Sequence, residues 1–141
     1  MELTTRSEMI RAALRAGAAE GPDSRTVAAA TVRALTLLLA ELKPLIGSLA
    51  LRALYVRSLH LAHSSFERPR IEPKALDELL ARLHKDLVSR DPDQAREAAE
   101  ALLLALANLL VSLIGEPLTD RLLHKAWGNS PAAKSSELKP Q

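Results

Sequence analysis

Apolar residues recur three and four positions apart through most of this chain, and no segment alternates apolar with polar residues as a half-buried strand would. The clearest stripe is Leu76, Leu79, Leu80, Leu83 and Leu87, with Glu78, Arg82, Lys85 and Asp86 filling the other faces. Helix punctuation divides the pattern into six predicted helices. Thr5-Arg6-Ser7-Glu8 has the spacing of a capping box and opens a first helix that reaches about Ala19, ahead of Gly21-Pro22. A second begins at Asp23 or Ser24 and continues to about Lys43, where Pro44 and Gly47 interrupt it. The third runs from about Ser48 to Ser65, and a connector containing Pro69 leads to a fourth that opens with Pro73. Asp91 caps the fifth, with Pro92 at its first position, and Ile114-Gly115 closes it. The sixth spans Pro117 to Trp127, before Gly128.

The same pattern contains a repeat. Shifted by 68 residues, 23–59 falls on 91–127 without a gap, and nine of the 37 pairs are identical. Seven of the nine are Leu, Ile or Ala, which any two Leu/Ala-rich helices share by chance; the matched Asp23/Asp91 cap and the matched Leu-Ile-Gly breaks at 45–47 and 113–115 are more specific. The first and fourth helices align with a one-residue slip, Ile10 to Leu14 against Leu79 to Leu83. The expected fold is therefore all-α: a six-helix, orthogonal or bundle-like domain built from two duplicated three-helix units. The units cover about 5–65 and 73–127 of a single domain, 1–128. The second and fifth helices are apolar on nearly every side and belong at the centre, crossing near a pseudo-twofold axis. Their alanines, Ala28, Ala29, Ala30 and Ala34 with Ala98, Ala99, Ala101 and Ala105, allow close approach. Residues 129–141 offer almost nothing to bury and are expected to be a disordered tail.

Composition strengthens the helical reading. Leu and Ala number 29 and 24, Val and Ile together nine, and aromatic residues make up 2%. Without cysteine the chain has no disulfide, thiolate nucleophile or thiolate metal ligand. No basic-then-apolar export signal opens it, and the longest apolar run, Ala101 to Ile114, is 14 residues against the roughly 20 that a membrane span needs. A cytoplasmic chain with no membrane partner is expected. Nineteen basic against 17 acidic residues is too slight an excess to argue for nucleic acid. The segment 42–59 resembles a helix-turn-helix only in its turn glycine, since the helix that would read bases is too apolar.

Candidate chemistry gathers at the end of the third helix. Arg52, Val56, His60 and His63 share one face at 100° per residue, Arg57 lies beside them, and Arg68 and Arg70 follow in the connector. These seven residues are the candidate ligand or partner site. His60 and His63 could reach one metal or anion, but no His-x-x-x-His or Glu-x-x-His pattern completes a ligand set, so no metal and no cofactor are expected. A phosphotransfer histidine is a further reading, although Leu61-Ala62-His63-Ser64-Ser65 lacks the Lys and Gly that usually follow such a His. Asp77, Asp86, Asp93 and Asp120 read as solvent-facing or capping residues. No nucleophile elbow, phosphate loop or dinucleotide fingerprint is present, so no catalytic residue is assigned.

The third helix is also apolar on two sides. Leu51, Leu54, Tyr55, Leu61 and Phe66 form an expected core face, while Leu49, Ala53 and Val56 lie opposite and form a candidate dimer interface. The expected function is a non-enzymatic interaction or regulatory module acting in signalling or as an adaptor, homodimeric and with a further protein partner. The alternative is a sensor holding an apolar or anionic small ligand near the third helix.

Overall fold

The computed structural model describes residues 2–17, with side chains for 6–15, and then 23–62 and 75–127. These form five helices and no strand: α1 (Glu2–Gly17), α2 (Ser24–Leu61), α3 (Leu76–Val88), α4 (Pro92–Ile114) and α5 (Glu116–Trp127). Five rather than six is a correction to the sequence reading, and Gly47 is its cause. The predicted second and third helices are one element in which only Gly47 leaves helical geometry, at φ 84° and ψ 165°. The hydrogen-bonded turns resume at once, so the break is a sharp corner and not a loop. Pro44 is accommodated inside the helix one turn earlier. The start of α1 is corrected too: the chain is already helical at Glu2, so Thr5 is not an N-cap.

The two Asp caps form as their spacing predicts. Asp23 accepts from the Thr26 amide at 2.9 Å and the Thr26 hydroxyl at 2.7 Å; these bonds, led by the hydroxyl, hold its carboxyl below the ordinary aspartate pKa. Asp91 accepts from the Gln94 amide at 3.0 Å. Gly115 ends α4 at φ 90° and ψ 161°, nearly the geometry of Gly47. A positive φ of this kind is open to glycine and strained for other residues, which explains why both corners carry one.

α2 packs against every other helix and most extensively against α4. Both are apolar around most of their circumference, and each is long and apolar enough to cross a membrane by length and composition. The 14-residue uncharged run understated them, because an 18-residue stretch can take in up to two charged residues and keep a high mean hydropathy. A central core helix needs the same composition. Burial in the two follows a common register. Val27, Ala30, Thr31, Ala34, Leu35, Leu38, Leu39 and Leu42 are buried, and so are the residues 68 positions on, Ala95, Ala98, Ala99, Leu102, Leu103, Leu106, Ala107 and Leu110. Past the glycines, Leu51, Leu54, Tyr55, Ser58 and Leu59 are matched by Thr119, Leu122, Leu123, Ala126 and Trp127. Ala28 is the one departure, buried where its counterpart Arg96 is half-exposed. Of the alanines expected to permit close approach, Ala29 instead faces solvent, and Ala101 and Ala105 are half-buried.

Leu61 is likewise corrected: it is 48% exposed, and Leu59, two residues earlier and about half a turn round the helix, is the buried residue. Phe66 and the predicted connector, Pro73 and the tail 129–141 lie outside the described residues.

Candidate interaction surface

The arrangement of the central pair follows from three contacts. The Ser24 hydroxyl donates to the Arg90 carbonyl, so the N-terminal ends of α2 and α4 lie side by side and the two helices leave from one end of the molecule. The Trp127 indole N–H donates to the Ala34 carbonyl at 3.0 Å. Lys125 Nζ lies 3.7 Å from Glu41 Oε1. α5 therefore folds back along α2. Its 12 residues rise about 18 Å, nearly the distance along α2 from Ala34 to Gly47, so Gly115 stands level with Gly47. Both corners lie at the same end.

That end is apolar and open. Leu49 is 80% exposed, Leu113 64%, Leu45 55% and Leu118 37%. Pro44 and Pro117 are exposed beside them, and Ile46 and Ile114 turn inward to pack on the core. The reason is local: a helix that stops at a positive-φ glycine leaves its last turn and the first turn of its successor without neighbours on the outer side. From Pro44 to Leu51 the chain carries no charge, and from Ala101 to Gly115 none.

Charge begins just behind. Within six residues of either glycine the acids are Glu41, Glu116 and Asp120, and all three are bridged inside the fold. Arg6 of α1, only 4% exposed, meets Asp120 at 3.1 Å and Glu116 at 3.7 Å. This corrects the reading of Asp120 as merely solvent-facing. The cations in the same span are Lys43, Arg52 and Arg121; Lys43 and Arg121 are exposed and make no ion pair among the described residues. Two buried hydroxyls, those of Tyr55 and Thr119, and Nε of Arg6 have no hydrogen-bond partner among them. Burial pushes the Tyr55 phenol above the ordinary tyrosine pKa.

Of the site predicted from sequence, Arg52, Val56 and His60 do follow one another at four-residue intervals on α2, each half-buried, and Arg57 is exposed. Arg52 and His60 are already engaged in contacts within the protein. His63, Arg68 and Arg70 lie outside the described residues, so the cluster is placed only in part. The candidate dimer strip divides: Leu49 and Ala53 are exposed, whereas Val56 packs partly against the core. Sequence reasoning missed Leu45, Leu113 and Leu118. The signal for Leu45 and Leu113 was present in the matched Leu-Ile-Gly breaks, which were read as punctuation and not as surface. It also missed Arg6, whose place on the buried stripe of Ile10 and Leu14, four and eight residues on, could have revealed it.

A cavity of about 230 Å³ opens between α1 and α4, lined by Ser7, Ile10, Arg11, Glu97, Glu100, Ala101 and Leu104. Arg11 and Glu100 approach to 3.6 Å at its mouth. It is smaller than the usual small-molecule pocket and includes none of the predicted site residues. Among the described residues no three His, Asp or Glu side chains converge as metal ligands would. No known protein family, no curated protein and no solved structure matches this chain.

Proposed function

We propose that the chain is a duplicated three-helix unit serving as a non-enzymatic docking module in a regulatory or adaptor role, with the apolar corner end as its working surface. The carrying observation is that Leu45, Leu49, Leu113 and Leu118 stand open together at one end of an otherwise leucine-lined core. A soluble domain of this size leaves single leucines exposed; four at one end, flanked by two exposed prolines, form a patch of the kind that meets a partner. The duplication is supported by the shared burial register, the paired Asp caps and the near-identical glycine corners. The non-enzymatic reading rests on the sequence, which carries no nucleophile elbow, phosphate loop or dinucleotide fingerprint. Self-association through Leu49 and Ala53, with Val56 behind them, is the simplest symmetric use of the surface.

The test is a Leu49→Glu/Leu113→Glu variant of the whole chain. It is expected to keep its helix content and its Tm to within about a degree, because surface changes cost little. Retention on a phenyl matrix should fall, together with any concentration-dependent association in sedimentation velocity. A sharply lowered Tm would show these leucines to be core residues, and unchanged retention would show the end to be inert; either result overturns the reading.

A further inference from the structure

We infer that the partner of the apolar end is an anionic lipid surface, entered by Leu45, Leu49, Leu113 and Leu118. The inference rests on the docking reading and gives it a different partner from the protein expected from sequence. Size is the first argument. The patch consists of four leucines and two prolines, and its leucines together leave open little more than two whole side chains. A stable protein–protein contact uses roughly 20–30 residues and ~800 Å² on each side. So small a patch falls well short of what a stable dimer uses and would hold a second copy only weakly, but a few apolar side chains dipping into the headgroup–acyl boundary make a reversible membrane contact.

Shape is the second argument. The leucines project from two tight corners at the end of parallel helices. Corners insert; a flat or concave face docks. The uncharged stretches 44–51 and 101–115 let Leu45, Leu49 and Leu113 leave water without burying a charge, while Glu116, beside Leu118, lies 3.7 Å from Arg6.

Charge is the third. Glu41 faces Lys125, and Glu116 and Asp120 share Arg6, which offsets one of their two charges, whereas Lys43 and Arg121 face outward at the rim without an acidic partner among the described residues. Anionic headgroups complement that rim, and their attraction adds to leucine insertion within a Debye length of the surface. A second copy placed head to head would instead bring its own Lys43 and Arg121 against these.

The experiment is co-flotation of the full-length protein with vesicles of phosphatidylcholine containing phosphatidylserine, against phosphatidylcholine alone. The wild type is expected to float with the anionic vesicles and weakly with the neutral ones, and to be released by salt. Leu49→Ser/Leu113→Ser should weaken partition about tenfold or more. Lys43→Gln and Arg121→Gln should each weaken it about fivefold, on the anionic vesicles only. Flotation unaffected by the leucine changes would place the contact elsewhere and overturn the inference. Absence of flotation beside a dimer that dissolves in the leucine variant would overturn the lipid partner and leave the docking reading standing. Absence of flotation from a protein that also ignores the phenyl matrix would overturn both.

Discussion

Beyond Gly47 the chain continues for 14 residues to Leu61, buries Tyr55 and Ser58, and has Ser48 and Arg52 at its start. Beyond Gly115 it continues for 12 to Trp127, buries Thr119 and Trp127, and has Glu116 and Asp120 at the corresponding places. The buried positions agree residue for residue while the side chains filling them differ, and at one half-buried position the charge is reversed, Arg52 against Asp120. Packing register is set by helix geometry and tolerates replacement so long as the replacement is small or apolar. Charge is not so tolerant. Only the second corner offers two carboxylates, and only there does a helix dock with a buried arginine, Arg6 of α1. The helix that aligns with α1 is α3, and it buries Leu79, Leu83 and Leu87 with no arginine among them. The halves thus differ most where charge, and not volume, decides what packs.

The comparison is best broken at the central pair. Leu38 and Leu106 are equivalent and fully buried, so Leu38→Ala and Leu106→Ala should each cost about 2–5 kcal/mol in chemical denaturation. A cost several-fold smaller on one side would mean that the two sites relax differently and that the equivalence ends at geometry. The corners come next. Gly47→Ala and Gly115→Ala should each cost about 1–3 kcal/mol through backbone strain. Crowding adds nothing at either: a Cβ at Gly47 meets no atom within 4 Å, and at Gly115 the nearest is Pro117 Cδ at 3.8 Å. A neutral Gly47→Ala, paired with a costly Gly115→Ala, would show that α2 can straighten through its corner and α4–α5 cannot.

The smallest effect is expected at Tyr55, whose counterpart Leu123 lacks a hydroxyl. At neutral pH Tyr55→Phe should change stability by less than about 1 kcal/mol, because the buried hydroxyl has no hydrogen bond to lose. Alkali separates the two proteins. With the folded pKa raised, the contribution is full below the unfolded value near pH 10 and is lost as pH rises toward the folded one, because the unfolded chain ionises first. Wild type should therefore lose about 1.4 kcal/mol per pH unit above about pH 10 relative to Tyr55→Phe. Tyr55 is the chain's one tyrosine, so its phenolate absorbance reports the same event. Ionisation near pH 10 with the fold intact would contradict its burial.

Much of the architecture was legible because Leu and Ala patterns report burial directly. The stripe on α3, the caps at Asp23 and Asp91 and the stop at Gly115 are local features, and they fell where the spacing placed them, whereas Gly47 turned out to bend one helix and not to end it. What was not legible depended on partners distant in sequence. Arg6 reads as a surface residue until Asp120 and Glu116 are brought to it. Leu61 reads as core from periodicity, although α2 ends at that residue. The predicted site was built from the densest group of His and Arg, a compositional signal. The open surface comes instead from four leucines that only the folding back of α5 brings to one end.

The Arg6–Asp120 bridge joins residues 114 apart in sequence, and this has a consequence for the order of events at the ribosome. α1 is synthesised before α5, yet its guanidinium has no Asp120 or Glu116 carboxylate to bury against until α5 has left the exit tunnel. A cation withdrawn from water without its counter-ion is strongly disfavoured, so during translation the N-terminal helix remains undocked while α2, α3 and α4 emerge and begin to assemble. The earliest of these five helices is then among the last of them to close. Until it does, the faces of α2 and α4 that it covers are open to whatever chaperone or surface the nascent chain meets.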